Sequence, residues 1–288
     1  MNKRKNLLSN LPLDAKLYLA PAKLNLDLRI IGQRIDGYHL LESVFTLINL
    51  YDFIWLKPNT TGQINLHTAI DGVPLLQDLC YRAAILLRQE TGITQGADIW
   101  VQKNIPLGGG LGGGSSDAAL ILMILNQIWQ AGLDCKQLMS IGLRLGADVP
   151  FFIFGQNAFV SGIGEDLIPI SLQKQWYIVI KPSVHVSTPE IFAHKDLTRD
   201  SKPRIMPVFQ EMQHWRNDMQ SVVLNEYPAV KSAFNTLAKY GKPMMSGSGS
   251  CVFLRFDHFI EAQAVYCQLA GVCQPYFVSS LMKHPFYS

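Results

Sequence analysis

The sequence predicts an α+β protein of two domains, and three observations support this fold class. Candidate strands and helices interleave without the regular strand–helix–strand alternation of a parallel α/β sheet. No segment repeats at a fixed period. The composition of the chain changes after the candidate hairpin at 158–170, which places the junction of the two domains near residues 155–175. We therefore expect an N-terminal domain over residues 1–164 and a C-terminal domain over residues 165–288, with the boundary placed to within about ten residues.

Polar and apolar residues alternate over residues 16–31, which predicts a long first strand. Lys23, Asn25 and Asp27 share one face of it, because successive side chains of a strand point to opposite sides. The predicted helices that follow are apolar segments, each ending near a glycine, a residue common just past helix C-termini. For this half we expect strands at 44–56, 64–70 and 97–103, helices at 80–91, 115–130 and 135–145, and a glycine-centred hairpin at 158–170.

The second half alternates shorter elements with polar segments. A Pro-containing helical stretch at 222–240 is expected to be interrupted near Pro228, since proline disrupts a helix interior. The polar stretch at 201–217 has the composition of a loop. The other predicted elements are strands at 176–180, 251–256 and 276–280, and helices at 188–194 and 261–269.

Composition excludes several classes of function. The chain has 288 residues and a formal net charge of +3, and its basic residues are scattered, so we expect no nucleic-acid partner. The longest apolar run, 118–125, is far shorter than the roughly 20 residues of a membrane span, so we expect no membrane partner. Five dispersed cysteines without zinc-site spacing indicate reduced thiols. With no signal or transit peptide recognisable, we expect a protein of the bacterial cytosol.

The segment NIPLGGGLGGGSSDAA, residues 104–119, carries the strongest functional signal. It places six glycines between a predicted strand and a predicted helix. Backbone N–H groups of such a loop bind phosphate well, and the helix N-terminus adds about half a positive charge. The segment therefore predicts a phosphate-binding loop.

Two other phosphate loops fit this sequence poorly. A P-loop needs Gly-Lys followed by Ser or Thr, and the only Gly-Lys pair, at 241–242, is followed by proline. The dinucleotide fingerprint GxGxxG matches at positions 108, 110 and 113. However, a second helix follows the first, and Asp134 lies in the turn between them, where the fingerprint requires a parallel strand. A purely flexible linker is also disfavoured between two apolar elements.

Eleven consecutive positions, from Pro106 to Ser116, match Pro-x-Gly-Gly-Gly-Leu-Gly-x-x-Ser-Ser. This pattern resembles the nucleotide-binding motif of the GHMP kinases, the family of galactokinase and of homoserine, mevalonate and phosphomevalonate kinases. APAKLNLDLRIIGQRIDGYH (20–39) and SGSGSCVF (246–253) stand where the family has its first and third motifs. GADVPFF (146–152) and STPEIF (187–192) resemble the family members that act on a cytidine diphosphate derivative of methylerythritol.

The resemblance implies a GHMP-kinase architecture, in which a ribosomal-protein-like N-terminal domain binds ATP and a ferredoxin-like C-terminal domain follows. The acceptor is expected between the two domains. The implied reaction transfers the γ-phosphoryl group of ATP, with Mg²⁺, to the 2-hydroxyl of a methylerythritol unit carried by cytidine diphosphate. This reaction belongs to the non-mevalonate route to isoprenoid precursors.

The resemblance also assigns roles to residues. Asp148 is expected to take the proton of the acceptor hydroxyl, and Lys23 to hold Asp148 and stabilise the phosphoryl oxygens. The residues expected to bind ATP are Lys103, Pro106, Gly108, Gly109, Gly110, Leu111, Gly112, Gly113, Gly114, Ser115 and Ser116. Those expected to bind the acceptor are Asn25, Tyr38, His39, Thr188 and Phe192, with Tyr38 and His39 at the cytosine and Phe192 as the opposing ring. The small-residue loop of Gly247, Ser248 and Gly249 is expected near the phosphates.

One departure from the family pattern concerns the nucleotide. The chain has Gln77-Asp78-Leu79 where these kinases commonly have Asp-Asn-Leu, and a carboxylate accepts hydrogen bonds but does not donate them as an amide does. Three alternative functions stay open at this point. They are another acceptor within the GHMP family, nucleotide binding without catalysis, and dinucleotide binding.

Overall fold

The computed structural model describes residues 11–68, 70, 72–203 and 215–287. The predicted polar loop at 201–217 lies mostly outside these residues. Within the described parts, no helix is long and apolar enough to span a bilayer.

The described residues form ten strands that join into one mixed sheet. The strands are β1 (Lys16–Gln33), β2 (His39–Asn59), β3 (Ile64–Leu66), β4 (Gly96–Gln102), β5 (Ala158–Ser161), β6 (Asp166–Pro169), β7 (Trp176–Ile180), β8 (Met244–Met245), β9 (Val252–Phe256) and β10 (Tyr276–Leu281).

Eight α-helices cover the sheet in these described parts of the chain. They are α1 (Leu79–Thr91), α2 (Gly113–Ile128), α3 (Cys135–Leu143), α4 (Val149–Phe154), α5 (Thr188–Ala193), α6 (Gln220–Glu226), α7 (Pro228–Ala238) and α8 (Phe259–Ala270). Single 3₁₀ turns occur at Leu75–Gln77 and Pro285–Tyr287.

The long hairpin of β1 and β2 is the largest element of the sheet. The two strands pair antiparallel from the Lys16–Leu56 pair to the Gln33–His39 pair. The strand order is β3-β4-β2-β10-β7-β9-β8. Strands β1 and β5 also pair with β2, and β6 pairs with β5. Among these strands, β3 and β4 are the one parallel pair. Since β10 pairs with both β2 and β7, it links the sheets of the two halves of the chain.

Two large hydrophobic clusters mark the two halves. The first surrounds α2, whose buried segment 118–125 packs with residues of α1, α4, β2 and β4. The second contains the apolar sides of α6, α7, β7 and β9, and it also takes in Leu28 and Ile30 from the end of β1. A third cluster, which includes Leu24 and Leu26, lies along β1 between them. Strand β1 therefore carries the polar residues Lys23, Asn25 and Asp27 to the junction of the two halves. The boundary near residue 164 stays a prediction.

Candidate active site

A cavity of about 960 Å³ lies at this junction. It is lined by residues from β1, β2, the glycine loop, the segment before α4, α5 and the loop between β8 and β9. The predicted site residues that line it are Lys23, Asn25, Tyr38, His39, Gly108, Gly110, Ser115, Asp148, Thr188, Phe192, Gly247, Ser248 and Gly249. The structure therefore brings together residues that are up to 226 positions apart in the chain.

Lys23 and Asp148 meet in this cavity. The Lys23 Nζ lies 3.3 Å from Asp148 Oδ2 and donates a hydrogen bond of 2.5 Å to Asn25 Oδ1. It also lies 4.5 Å from the centre of the Phe45 ring, where the ring face attracts a cation. The Lys23 side chain is only 4% exposed, whereas that of Asp148 is 33% exposed. The ammonium is thus fixed from several sides, while the carboxylate stays open to a ligand.

Asp148 owes its position to a short turn between two helices. Helix α3 ends at Leu143, and α4 begins at Val149 with a proline in its first turn, where proline is well tolerated. Asp148 is the N-cap residue of α4, yet its side chain makes no capping hydrogen bond. Its carboxylate is therefore free to face Lys23.

The glycine loop leads into α2 and packs closely against the loop between β8 and β9. A Cβ on Gly110 would overlap the backbone carbonyl oxygen of Ser246. The Ser246 Oγ donates a hydrogen bond of 2.9 Å to the Gly110 carbonyl and accepts one of 3.2 Å from the Asn25 N–H. Gly112, with φ of 72°, is the N-cap residue of α2. The loop, β1 and the SGSGS segment are therefore held together at the start of α2.

Several residues predicted to bind ATP do not line the cavity. The Ser116 side chain is buried, and its Oγ donates a hydrogen bond of 2.6 Å to the Pro21 carbonyl. Of the two serines, only Ser115 therefore faces the cavity. The predicted ATP-binding residues that do not line it are Lys103, Pro106, Gly109, Leu111, Gly112, Gly113, Gly114 and Ser116.

Lys103 lies at the start of the glycine loop, in contact with two carboxylates. Its ammonium contacts the buried carboxylates of Asp52 and Asp117, the second at 2.5 Å. Burial alone would lower the pKa of Lys103, but the two carboxylates outweigh it and raise that pKa above its ordinary value. Asp52 also accepts hydrogen bonds from the backbone N–H groups of Asn104 and Ile105. A nucleotide contact for Lys103 stays a prediction, while the structure shows it tying the start of the glycine loop to α2.

The aromatic end of the cavity is also built differently from the prediction. The rings of His39 and Phe192 stack directly on each other, with centroids 4.7 Å apart, so no base fits between these two rings as they stand. Arg199 fixes this pair, since it donates hydrogen bonds to His39 Nε2 at 3.2 Å and to the Phe192 carbonyl at 2.7 Å. Burial and the Arg199 cation lower the pKa of His39. The Tyr38 ring is exposed beside them.

The loop carrying Gly247 and Ser248 is anchored from two sides. Asn217 donates hydrogen bonds to the carbonyls of Met245 and Gly247, at 2.8 and 2.7 Å. The Thr188 and Ser248 hydroxyls lie 2.6 Å apart. The predicted acceptor residue Thr188 and the predicted phosphate-side loop are therefore in direct contact.

Asp78 is the N-cap residue of α1. Its side chain is buried and accepts hydrogen bonds from the N–H groups of Cys80 and Tyr81. Aspartate and asparagine are both favoured at this position of a helix. Aspartate in place of the family's asparagine thus preserves the N-cap of α1. Asp78 is not among the residues that line the cavity.

Sequence reasoning missed several residues that build the site. Arg199 stands in a polar stretch without a motif, and Asp52 lies in a strand with nothing to mark it. Ser246 stands next to the predicted Gly247 and within the SGSGS segment, so this motif could have identified Ser246 as a site residue. Arg199, Ser43 and Phe45 also line the cavity.

A glycine loop at a helix start, next to a lysine–aspartate pair in the same cavity, is the arrangement expected of a phosphotransferase. Residues 78–156 match the GHMP kinases N terminal domain, and residues 198–274 match the GHMP kinases C terminal domain. The chain is 55% identical over 269 residues to a 4-diphosphocytidyl-2-C-methyl-D-erythritol kinase of Neisseria gonorrhoeae, covering 93% of this chain and 96% of that one. The kinase of the same name from Chromobacterium violaceum is 50% identical over 273 residues, covering 94% and 96% of the two chains.

The fold agrees with these relatives. A crystal structure of 4-(cytidine 5'-diphospho)-2C-methyl-D-erythritol kinase superimposes with a TM-score of 0.80 at 30% identity, covering 92% of this chain and 99% of that one. The chain belongs to the GHMP kinase family. The predictions of the family, of the two-domain architecture and of a small-molecule kinase are confirmed.

Proposed function

We propose that the chain transfers the γ-phosphoryl group of ATP to the 2-hydroxyl of 4-diphosphocytidyl-2-C-methyl-D-erythritol, giving the 2-phosphate and ADP. The observation that carries this proposal is the Lys23–Asp148 pair, 3.3 Å apart, in the cavity that the glycine loop also borders. The names of the relatives at 46–55% identity support the acceptor.

In this proposal Asp148 is the general base. Its partly exposed carboxylate accepts the proton of the acceptor hydroxyl while the hydroxyl oxygen attacks the γ-phosphorus and the bond to the β-phosphate oxygen breaks. The fixed ammonium of Lys23 stabilises the developing charge on the attacking and phosphoryl oxygens. Because Asn25 and Phe45 hold Lys23, this cation needs little rearrangement during the reaction.

The ATP site is proposed at the glycine loop. Its backbone and the start of α2 supply N–H groups and a positive dipole end for the phosphates. Ser115 is the hydroxyl at this helix start that faces the cavity, and so it fits a role beside the phosphates better than the buried Ser116.

Mg²⁺ is proposed to enter with ATP. The described residues contain no group of three or more His, Cys, Asp or Glu side chains able to hold a metal ion. Magnesium often binds through substrate phosphates with one or two protein ligands and several waters, and Ser115 is the candidate ligand of this chain. When bound, the ion neutralises phosphate charge.

An acceptor panel tests the proposal. ADP release is measured with 4-diphosphocytidyl-2-C-methyl-D-erythritol, mevalonate, homoserine and galactose, and turnover is expected with the first only. Turnover only with acceptors that lack cytidine would refute the assignment.

Asp148→Asn tests the role of the base. We expect kcat to fall about 100-fold or more, because general base catalysis typically contributes 10²–10⁴-fold. ATP affinity, measured by calorimetry, should stay within about threefold of the wild type. The control Asp166→Asn removes an exposed carboxylate in β6 and should leave kcat unchanged. Wild-type kcat in Asp148→Asn would show that this carboxylate takes no proton.

A further inference from the structure

His185 lies in the cavity but has no role in the predicted site. Its side chain lines the same space as Lys23 and Asp148 and is exposed. It adjoins the glycine loop so closely that a Cβ on Gly108 would lie 2.7 Å from His185 Nδ1. An imidazole from the C-terminal half of the chain therefore covers the first glycine of the loop.

The other basic side chains of the cavity are already engaged. Lys23 contacts Asp148 and Asn25. Arg199 donates hydrogen bonds to His39 and to backbone carbonyls, and His39 is stacked on Phe192. His185, by contrast, forms no hydrogen bond or ion pair with any described residue. Its ring N–H is thus available to a ligand.

The backbone on both sides of His185 is fixed. The carbonyl of Val184 accepts hydrogen bonds from Lys181 Nζ at 2.9 Å and from Ser250 Oγ at 3.0 Å. The next residue, Val186, is buried in the second hydrophobic cluster. A side chain presented between two anchored residues loses less conformational freedom when it binds a ligand than one on a mobile loop.

We propose that His185 is a phosphate-binding residue whose imidazole N–H donates a hydrogen bond to a phosphate oxygen of a bound substrate beside Gly108. This inference rests on the proposed function, in which both substrates bring phosphates into the cavity. The phosphate belongs either to ATP, since Gly108 is in the glycine loop, or to the diphosphate of the acceptor, since Thr188 follows three residues later.

The test compares ligands with and without phosphates. Calorimetry with CDP, cytidine, ATP and adenosine is carried out on the wild type, on His185→Ala and on His185→Lys, which keeps an N–H donor at this position. The control His258→Gln alters another exposed histidine, at the start of α8, whose side chain makes no capping hydrogen bond. Thermal unfolding of each variant checks that it folds.

We expect His185→Ala to weaken binding of one phosphate ligand by about tenfold, the size of a hydrogen bond to a charged group. His185→Lys should recover part of this loss, and His258→Gln should bind like the wild type. A loss for CDP but not cytidine assigns the acceptor diphosphate, and a loss for ATP but not adenosine assigns the ATP phosphates. Unchanged affinities, or equal losses for a nucleoside and its phosphate form, would overturn the proposal.

These outcomes are separate from the fate of the proposed function. If the wild type does not phosphorylate the proposed acceptor but His185→Ala still loses CDP or ATP affinity selectively, the phosphate contact stands and the acceptor assignment fails. If the wild type is active and His185→Ala has wild-type affinities and KM values, the contact fails and the reaction stands.

Discussion

Replacement of Asp117 by asparagine tests the buried charge cluster beneath the glycine loop. Asp117 and Asp52 share the single cation of Lys103, and Asp117 Oδ1 has no hydrogen-bond partner among the described residues. Burial, together with the neighbouring Asp52 carboxylate, raises the pKa of Asp117 to about 8, even though Lys103 opposes this. In the unfolded chain an aspartate has its ordinary pKa near 4.

The sign of the effect on stability follows from these two values. Between about pH 4 and pH 8 the folded protein keeps a proton on Asp117 that the unfolded chain has released. Because the folded state binds more protons, the free energy of unfolding falls as the pH rises, by up to about 1.4 kcal/mol per pH unit. The contribution is complete below the unfolded pKa and is lost as the pH passes the folded pKa.

Asp117→Asn carries a neutral amide at every pH and so lacks this contribution. Urea unfolding of both proteins at pH 5 and pH 7, with a reducing agent, gives their free energies of unfolding. We expect the stability of the variant relative to the wild type to increase by up to about 3 kcal/mol from pH 5 to pH 7. Titrating groups that do not contact Asp117 are common to both proteins and cancel in the difference.

The buried neighbour Ser116 supplies the control. Ser116→Ala removes a polar group from the same helix without removing a titratable one, so its difference from the wild type should be equal at both pH values. If the Asp117→Asn difference is also equal at both, then Asp117 is ionised in the folded protein throughout this range, and the reasoning is wrong.

Two further predictions concern the glycine loop and the end of the chain. Gly110→Ala should weaken ATP binding at least tenfold in calorimetry, because its Cβ would overlap the Ser246 carbonyl. Gly132 also has a positive φ, but a Cβ there would meet open space. Gly132→Ala should therefore keep wild-type ATP affinity and lower the free energy of unfolding by only about 1–2 kcal/mol, through backbone strain. Tyr287→Phe removes a hydrogen bond of 2.7 Å to the Ile153 carbonyl in α4. We expect its melting temperature in calorimetric scans to fall by about 2–4 °C, with little change in kcat. An unchanged melting temperature would show that this contact contributes nothing.

Local patterns predicted most elements of the fold. The first strand was expected at 16–31 and is observed at Lys16–Gln33, and α1 ends before Gly92 as expected. The helical stretch at 222–240 is interrupted near Pro228 as expected, because it consists of two helices that meet at Tyr227 and Pro228. Helix α4 was not predicted, because six apolar residues are too few to show a helical period.

Long-range partners of the site residues could not be predicted. The contact of Lys103 with Asp52 joins residues 51 positions apart, and no local pattern in a strand marks an aspartate as the partner of a distant lysine. Likewise, stacking of His39 on Phe192 depends on Arg199, which lies in a segment without a motif. A motif identifies residues that share a site, whereas their contacts depend on how the two halves pack.

The glycine loop shows both a local sequence pattern and a long-range contact. From sequence alone, glycines there are explained either by unusual dihedral angles or by the approach of a ligand to bare backbone. At Gly110 both a φ of 75° and contact with the Ser246 carbonyl exclude a side chain, before any ligand is considered. Part of the glycine requirement is therefore set by packing against the SGSGS segment, which explains why two motifs about 140 residues apart occur together. A substitution in either loop is thus expected to disturb the other, since Ser246 Oγ joins Gly110 to the strand that carries Lys23.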